Sequence, residues 1–414
     1  MSNLLVFLFF FLLPVGWAKH WLVPASSVNG VLVDYLMPDL WPQDLLVITV
    51  IIANLPFTIK HWSLRIKKLW PLLLFLPGLV LSPSPLVSSV YFLRFVLVLL
   101  TGCLLFILFK DKKKGTELKK WALNGLTGAV IWTGVLAVLQ LINQKSVFGW
   151  WFLGEPVFGL GSGGVKKIEV FGRLLVTPMA TFPHSNVLGG FGLLSFLIFV
   201  RQSKAWQRDL AIFFSAVCCF LSFSIIVWFL FLCLIVSQYY WPIGRVFFKT
   251  NLKLTGLGRR KFPKKRYFFP ILLLFILSIF LRYGGFLRAD SFFRRWQLAG
   301  ISLLMIRDQP LFGVGWGCFV KELPHYWQEI GSPIRFLQPV HNLFLLIVSE
   351  LGIIGVSGLI LLFKDFLKKM FSSKFLLLAS CFLILSLFDH YFWTTTQGVY
   401  LLLLPLLAVP TRKQ

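Results

Sequence analysis

Four short strings hold the side chains that could do chemistry. "QPVHNLFLLIVSELGIIG" (Gln338 to Gly355) places His341, Asn342 and Glu350 in a segment otherwise apolar enough to enter a bilayer. Ionisable groups inside a membrane helix are expensive and mark function unless a partner neutralises them. A neutral imidazole such as His341 can accept a proton at physiological pH. Glu350 lies nine residues on, about two and a half turns deeper on another flank, where it would orient His341 through a partner or stabilise packing. "ATFPHSNVLGGFG" (Ala180 to Gly192) puts His184 and Asn186 at a second helix mouth, with glycines for close helix packing. "SFFRRWQLAGISLLMIRDQPLFGVGWGCF" (Ser291 to Phe319) carries Arg294 and Arg295. Guanidinium groups bind phosphate oxygens bidentately and keep their charge, so the pair suits a diphosphate or the phosphates of lipid head groups. Arg94, five residues inside a membrane segment, would snorkel to the surface or line the same cavity. The turn "DHYFWTTTQG" (Asp389 to Gly398) adds His390 and Asp389, read as helix-end hydrogen bonding rather than catalysis. No serine elbow, zinc pattern, P-loop or Asp-x-Asp metal string is present.

The elements that position these groups are membrane helices. The 414 residues are 57% hydrophobic and 14% charged, with 45 phenylalanines and 16 tryptophans; a soluble domain carries about 25% charged residues. Mean hydropathy is +0.81. The six cysteines show no metal-ligand spacing and read as inert thiols. Taking about 20 apolar residues per crossing, the chain reads as about twelve. They lie near Leu4–Ala18, Leu45–Ile59, Leu69–Leu81, Val90–Phe109, Trp121–Ile142, Asn186–Val200, Leu210–Leu221, Ile225–Tyr240, Phe268–Leu281, Asn342–Phe363, Phe375–Leu387 and Val399–Val409. Met1 to Ala18 lacks a basic leader and reads as a retained first helix.

The net charge of +26 is concentrated in six segments: Lys60 to Lys68, Lys110 to Lys120, Arg201 to Arg208, Arg245 to Arg266, Lys364 to Lys374, and Arg412 with Lys413. They alternate in phase with the other loops, and the positive-inside rule assigns them to the cytoplasm together with both termini. Most acidic residues fall on the opposite side. The basic runs therefore read as topology determinants against anionic lipid, not as a nucleic-acid surface. The chain is a single polytopic domain over 1–414, with two long outer loops, 143–183 and 282–340. The second contains an amphipathic helix on which Phe292, Trp296, Ala299, Gly300 and Leu303 recur at helical spacing. A site, if present, faces outward, because function concentrates in such loops.

Three strings resemble the O-antigen ligase and O-antigen polymerase family of bacterial membrane glycosyltransferases. "TFPHSNVLGGF" is similar to its Thr-Phe-x-(His/Asn)-Pro-Asn helix start, with Ser185 where proline is usual. "RWQLAGISLLMIRDQPLFGVGWGCF" resembles its arginine followed by a Pro-Leu-x-Gly-Val-Gly turn, and "HNLFLLIVSELGIIG" its His-Asn…Glu-x-Gly helix. The resemblance implies an all-α integral membrane protein, a GT-C-like bundle of about twelve helices with a large helical outer loop. It implies transfer of a glycan from a polyprenyl-diphosphate carrier to an acceptor hydroxyl of a glycan, lipid or protein. Transfer would occur on the outer face of the cytoplasmic membrane, inverting and without metal, nucleotide or other cofactor. Arg295 would hold the diphosphate and His341 activate the acceptor. Arg173, Arg294, His184, Asn186, Asn342, Glu350 and Arg94 would shape the binding site.

One departure is plain. Where the family commonly has an arginine, in "LSFSIIVW" (Leu221 to Trp228), this chain has Ile225, and no Lys or Arg lies between Arg208 and Arg245. Thr177 likewise replaces an arginine four residues before the Thr-Phe string, leaving Arg173 as the nearest cation. Two rival readings stand beside the enzyme: a transporter or flippase of lipid-linked sugars, and an inactive envelope-assembly scaffold.

Overall fold

A computed structural model describes residues 2–54, 66–111, 113–170, 172–202, 206–240, 289–327, 337–370 and 376–408. The basic run 245–266 and the crossing expected at Phe268–Leu281 lie outside the described residues. The described chain is mainly helical: α1 Ser2–Phe11, α2 Pro42–Ala53, α3 Leu76–Val80, α4 Pro85–Phe109, α5 Gly115–Asn143, α6 Ser185–Phe199, α7 Trp206–Leu221, α8 Ile225–Tyr240, α9 Ala289–Asp308, α10 Phe319–Tyr326, α11 Leu343–Met370, α12 Leu376–Phe388, α13 Tyr391–Thr394 and α14 Thr396–Leu401. Short antiparallel strand pairs lie before α2 and between α5 and α6.

Among the described residues, three segments are long and apolar enough to cross a bilayer, namely α4, α5 and Leu343–Asp365 of α11. Six further apolar helices have 10–17 residues. The stretch read as a crossing at Leu69–Leu81 is built from a 3₁₀ helix, Ile66–Phe75, followed by α3. Pro71 and Pro77 explain this, since proline lacks the N–H that an α-helical ladder needs.

The chain divides into two compact units, one of residues 1–129, 289–369 and 383–414, the other of residues 130–288 and 370–382. The first is built on an aromatic core. Trp316 and Trp393 stack with centroids 4.6 Å apart, and Phe75 and Phe95 pack against Trp316 at 5.4 and 5.2 Å. The same unit holds a buried polar cluster. The Arg94 guanidinium bonds Asp39 at 2.7 Å and Asp44 at 3.0 Å, and the Tyr400 hydroxyl donates to Asp44 at 2.6 Å. Asp44 also accepts the Trp41 backbone N–H at 3.0 Å, half of a capping box in front of Pro42. Arg94 is thus compensated by two carboxylates within this unit, which is how a membrane helix tolerates it.

In the second unit, helix contact is set by small residues. A Cβ at Gly189 would meet the Ser222 side chain at 2.6 Å, and one at Gly192 would meet Cys218 at 2.8 Å, so α6 lies directly on α7.

Candidate functional site

The two glycine-rich strings singled out in the sequence are halves of one backbone junction. Helix α11 is broken at Gly352, whose φ 60° and ψ −175° are non-helical. The turn at 310–315 bonds the backbone groups around the break. Val314 and Gly315 donate to the carbonyls of Ser349 and Glu350 at 2.8 and 3.0 Å. The N–H groups of Ile353 and Ile354 reach the carbonyls of Pro310 and Leu311 at 2.8 and 3.1 Å. Broken helices survive in bilayers only where protein satisfies the freed groups in this way. Gly313, Gly315 and Gly317 all have positive φ, which glycine adopts without steric cost. The buried Glu350 side chain accepts from the Phe319 backbone N–H at 3.3 Å and the Trp393 indole at 2.8 Å. These bonds tie α10, α11 and the segment 390–394 together.

That junction fixes the start of α11. The Asn342 carboxamide oxygen caps the helix, accepting from Phe344 and Leu345 N–H at 3.0 Å each. Its nitrogen donates to the Leu387 carbonyl at 3.3 Å, at the end of α12. One residue on, the Phe388 carbonyl accepts from Arg295 at 3.4 Å. Two residues further, the His390 ring meets the His341 ring with centroids 5.2 Å apart at 76°. The turn Leu387–His390 therefore brings Arg295 of α9 together with the adjacent His341 and Asn342 at the start of α11. His390 is held by Thr394, whose hydroxyl is 2.7 Å from Nδ1, and its backbone N–H donates to Asp389 at 2.8 Å. Burial holds the His390 imidazole below its ordinary pKa; Asp389 opposes this shift and Arg295 reinforces it.

Arg295 rides on α9, which docks through buried Leu298, Ile301 and Met305, and through the Ser302 hydroxyl donating to the Leu345 carbonyl at 3.2 Å. Phe292, Trp296 and Leu303 point the other way and are 70%, 72% and 58% exposed. These three residues of the stripe read at helical spacing thus face outward, whereas Ala299 of the same stripe packs on the core beside the docking face. Arg294 is half-buried on the same helix.

His184 and Asn186 lie in the second unit, as does Arg173. His184 is the N-cap of α6, its Nδ1 accepting the Asn186 N–H at 3.1 Å. Arg173 opens the second strand of the hairpin Lys167–Val170/Arg173–Val176, paired with Val170 and exposed. Sequence reasoning missed three residues here. Glu155, fully buried, accepts from the N–H groups of Val147, Phe148 and Gly149 at 2.7–2.8 Å and from Gln140 at 2.7 Å. Gln140 also bonds Met179 and Ala180, which fixes the approach to His184. The Lys166 ammonium donates to the Phe223 carbonyl at 2.8 Å and to Asn186 at 3.3 Å. A cation from the loop between α5 and α6 therefore stands at the turn before Ile225, where the local sequence has none. An isolated Glu or Gln in an apolar context was the available signal for the first two; nothing local pointed to Lys166.

The comparisons agree with the resemblance. Residues 170–360 match the model of the O-antigen ligase family, so the chain carries an O-antigen ligase domain over that span. No curated protein and no solved structure matches the chain. The matched domain and the apolar helices are those of a membrane protein that carries an O-antigen ligase domain.

Proposed function

We propose that this protein is a glycosyltransferase that takes a glycan from a polyprenyl-diphosphate carrier and joins it to an acceptor hydroxyl. The site would face the outer side of the cytoplasmic membrane, with both termini cytoplasmic, in a GT-C-like bundle. The observation that carries this reading is the convergence of Arg295, Asn342 and His341 on the turn Leu387–His390. His341 as general base removes the acceptor proton, an effect worth about 10²–10⁴-fold. The hydroxyl oxygen attacks the anomeric carbon as the bond to diphosphate breaks, with inversion. Arg295, with Arg294 beside it in sequence, stabilises the charge that builds on the departing diphosphate, the part a divalent cation plays elsewhere. Asn342 fixes the start of α11 and with it His341. Arg173, His184 and Asn186, which belong to the second unit, are proposed as substrate-binding residues of that unit.

The break at Gly352 is the observation that favours a flippase, since transporters place sites at discontinuous helices. Here the freed backbone is bonded by the turn 310–315, which supports a rigid junction instead. Proteoliposomes supplied with polyprenyl-diphosphate-linked oligosaccharide and candidate acceptors test the proposal, with released polyprenyl diphosphate as the readout. Release by the parent, lost in folded His341→Ala and reduced about 10²–10³-fold in Arg295→Ala, is expected. Movement of intact donor between leaflets without release would establish the flippase; neither activity with any acceptor would favour the scaffold.

A further inference from the structure

The chemistry above leaves His390 unused, although its ring is the one in contact with the His341 ring. We propose that His390 is a positioning residue: its ring, tethered by Thr394 and in edge-to-face contact with the His341 ring, holds the His341 imidazole in place. This rests on the reading of His341 as the base.

The geometry is specific. The rings meet edge to face, the arrangement in which one ring's positive edge lies against the other's electron-rich face. The His390 ring is fixed from behind by the Thr394 hydroxyl, one turn along α13. Tyr35 closes another side, its ring centroid 6.0 Å away at 75°. Among the described residues, the charged and titratable groups around His390 are Asp389 next to it in the chain, Arg295 from α9, His341 from the start of α11, Tyr35, which has Asp34 beside it in sequence, and Tyr91, whose hydroxyl donates to the Tyr35 and Thr394 carbonyls. Burial raises the Tyr35 phenol, so it stays neutral. With Arg295 present, a protonated His390 would add a second cation beside the base. A buried neutral ring avoids this and still orients His341. Two imidazoles in contact titrate as a coupled pair.

The test uses the full chain in lipid nanodiscs, with His390→Phe, His390→Ala and Thr394→Val. Nitrogen-15 histidine spectra are practical, because the chain has six histidines and each signal is assignable by single substitution. The His341 titration is expected to be broadened in the parent and to sharpen to a single-site curve in His390→Phe. In the transfer assay His390→Ala should lower kcat about tenfold, or about 1.4 kcal/mol, with KM for the donor within about twofold. His390→Phe, which keeps a ring in place, should retain most of kcat. Thr394→Val should fall between them, and it carries the test if His390→Ala does not fold. An unchanged His341 titration together with parental kcat in His390→Ala and Thr394→Val would overturn the proposal. A parent that releases no diphosphate refutes His341 as the base instead, while the titration still decides whether the rings are coupled.

Discussion

Replacing either of two glycines by alanine should move stability in opposite directions. At Gly352, φ 60° with ψ −175° lies in a region open essentially to glycine alone, and an L-residue there costs about 1–3 kcal/mol. The added Cβ would also stand 2.5 Å from the backbone nitrogen of Gly313 and from the backbone of Leu311. Those atoms cannot step aside without breaking the hydrogen bonds of the junction, and overpacking adds about 1–3 kcal/mol. The sum is about 2–6 kcal/mol. At about 2 °C per kcal/mol for a large chain, the apparent Tm of Gly352→Ala in nanodiscs should fall by about 4–12 °C. Gly300 sits inside α9, and a Cβ added there would meet no atom within 4 Å. Alanine at that position gains about 1 kcal/mol of helix propensity, and Tm should rise by about 2 °C. Thermal unfolding followed by tryptophan fluorescence reads both. A Gly352→Ala protein as stable as the parent would mean that the turn 310–315 is not locked to α11, and the positioning of His341 would need another explanation.

Ser185 is the first residue of α6, where a helix leaves its N–H unbonded in any case. His184 before it is extended, at φ −154° and ψ 148°, as a residue preceding proline must be. The Ser185 hydroxyl is buried without a hydrogen-bond partner among the described residues. Ser185→Pro should therefore raise Tm by about 1–2 °C, matching about 0.4–1 kcal/mol from the stiffer unfolded chain; an equal fall would show that the ring does not fit. The depressed His390 makes stability pH-dependent. Below the ordinary imidazole pKa of about 6.5 the unfolded chain binds a proton that the folded chain resists. Stability should then drop as pH falls from about 7.5 to about 5.5, and a Tm series should be flatter in His390→Phe.

Residue order alone establishes a helical membrane chain and picks out the strings that matter. Hydropathy and the phase of the basic runs depend only on local composition, and the strings around His341, Arg295 and Pro310 are contiguous. Pro71 and Pro77, visible in the same order, make Leu69–Leu81 a poor α-helix. Pairing is what the order leaves open. Asp39 and Asp44 lie 55 and 50 residues from Arg94, and Trp393 lies 43 residues from Glu350, so no periodicity reveals that these charges and donors meet. His390 reads as a helix-end residue because its neighbours in sequence are turn residues; its contact with His341 exists only once the start of α11 and the end of α12 lie side by side. Lys166 reaches the turn before Ile225 only because the loop between α5 and α6 folds back against the start of α6. Local chemistry is written in the order of residues, whereas the partner that compensates a buried charge or packs against a histidine ring is chosen by which helix ends the tertiary structure brings together.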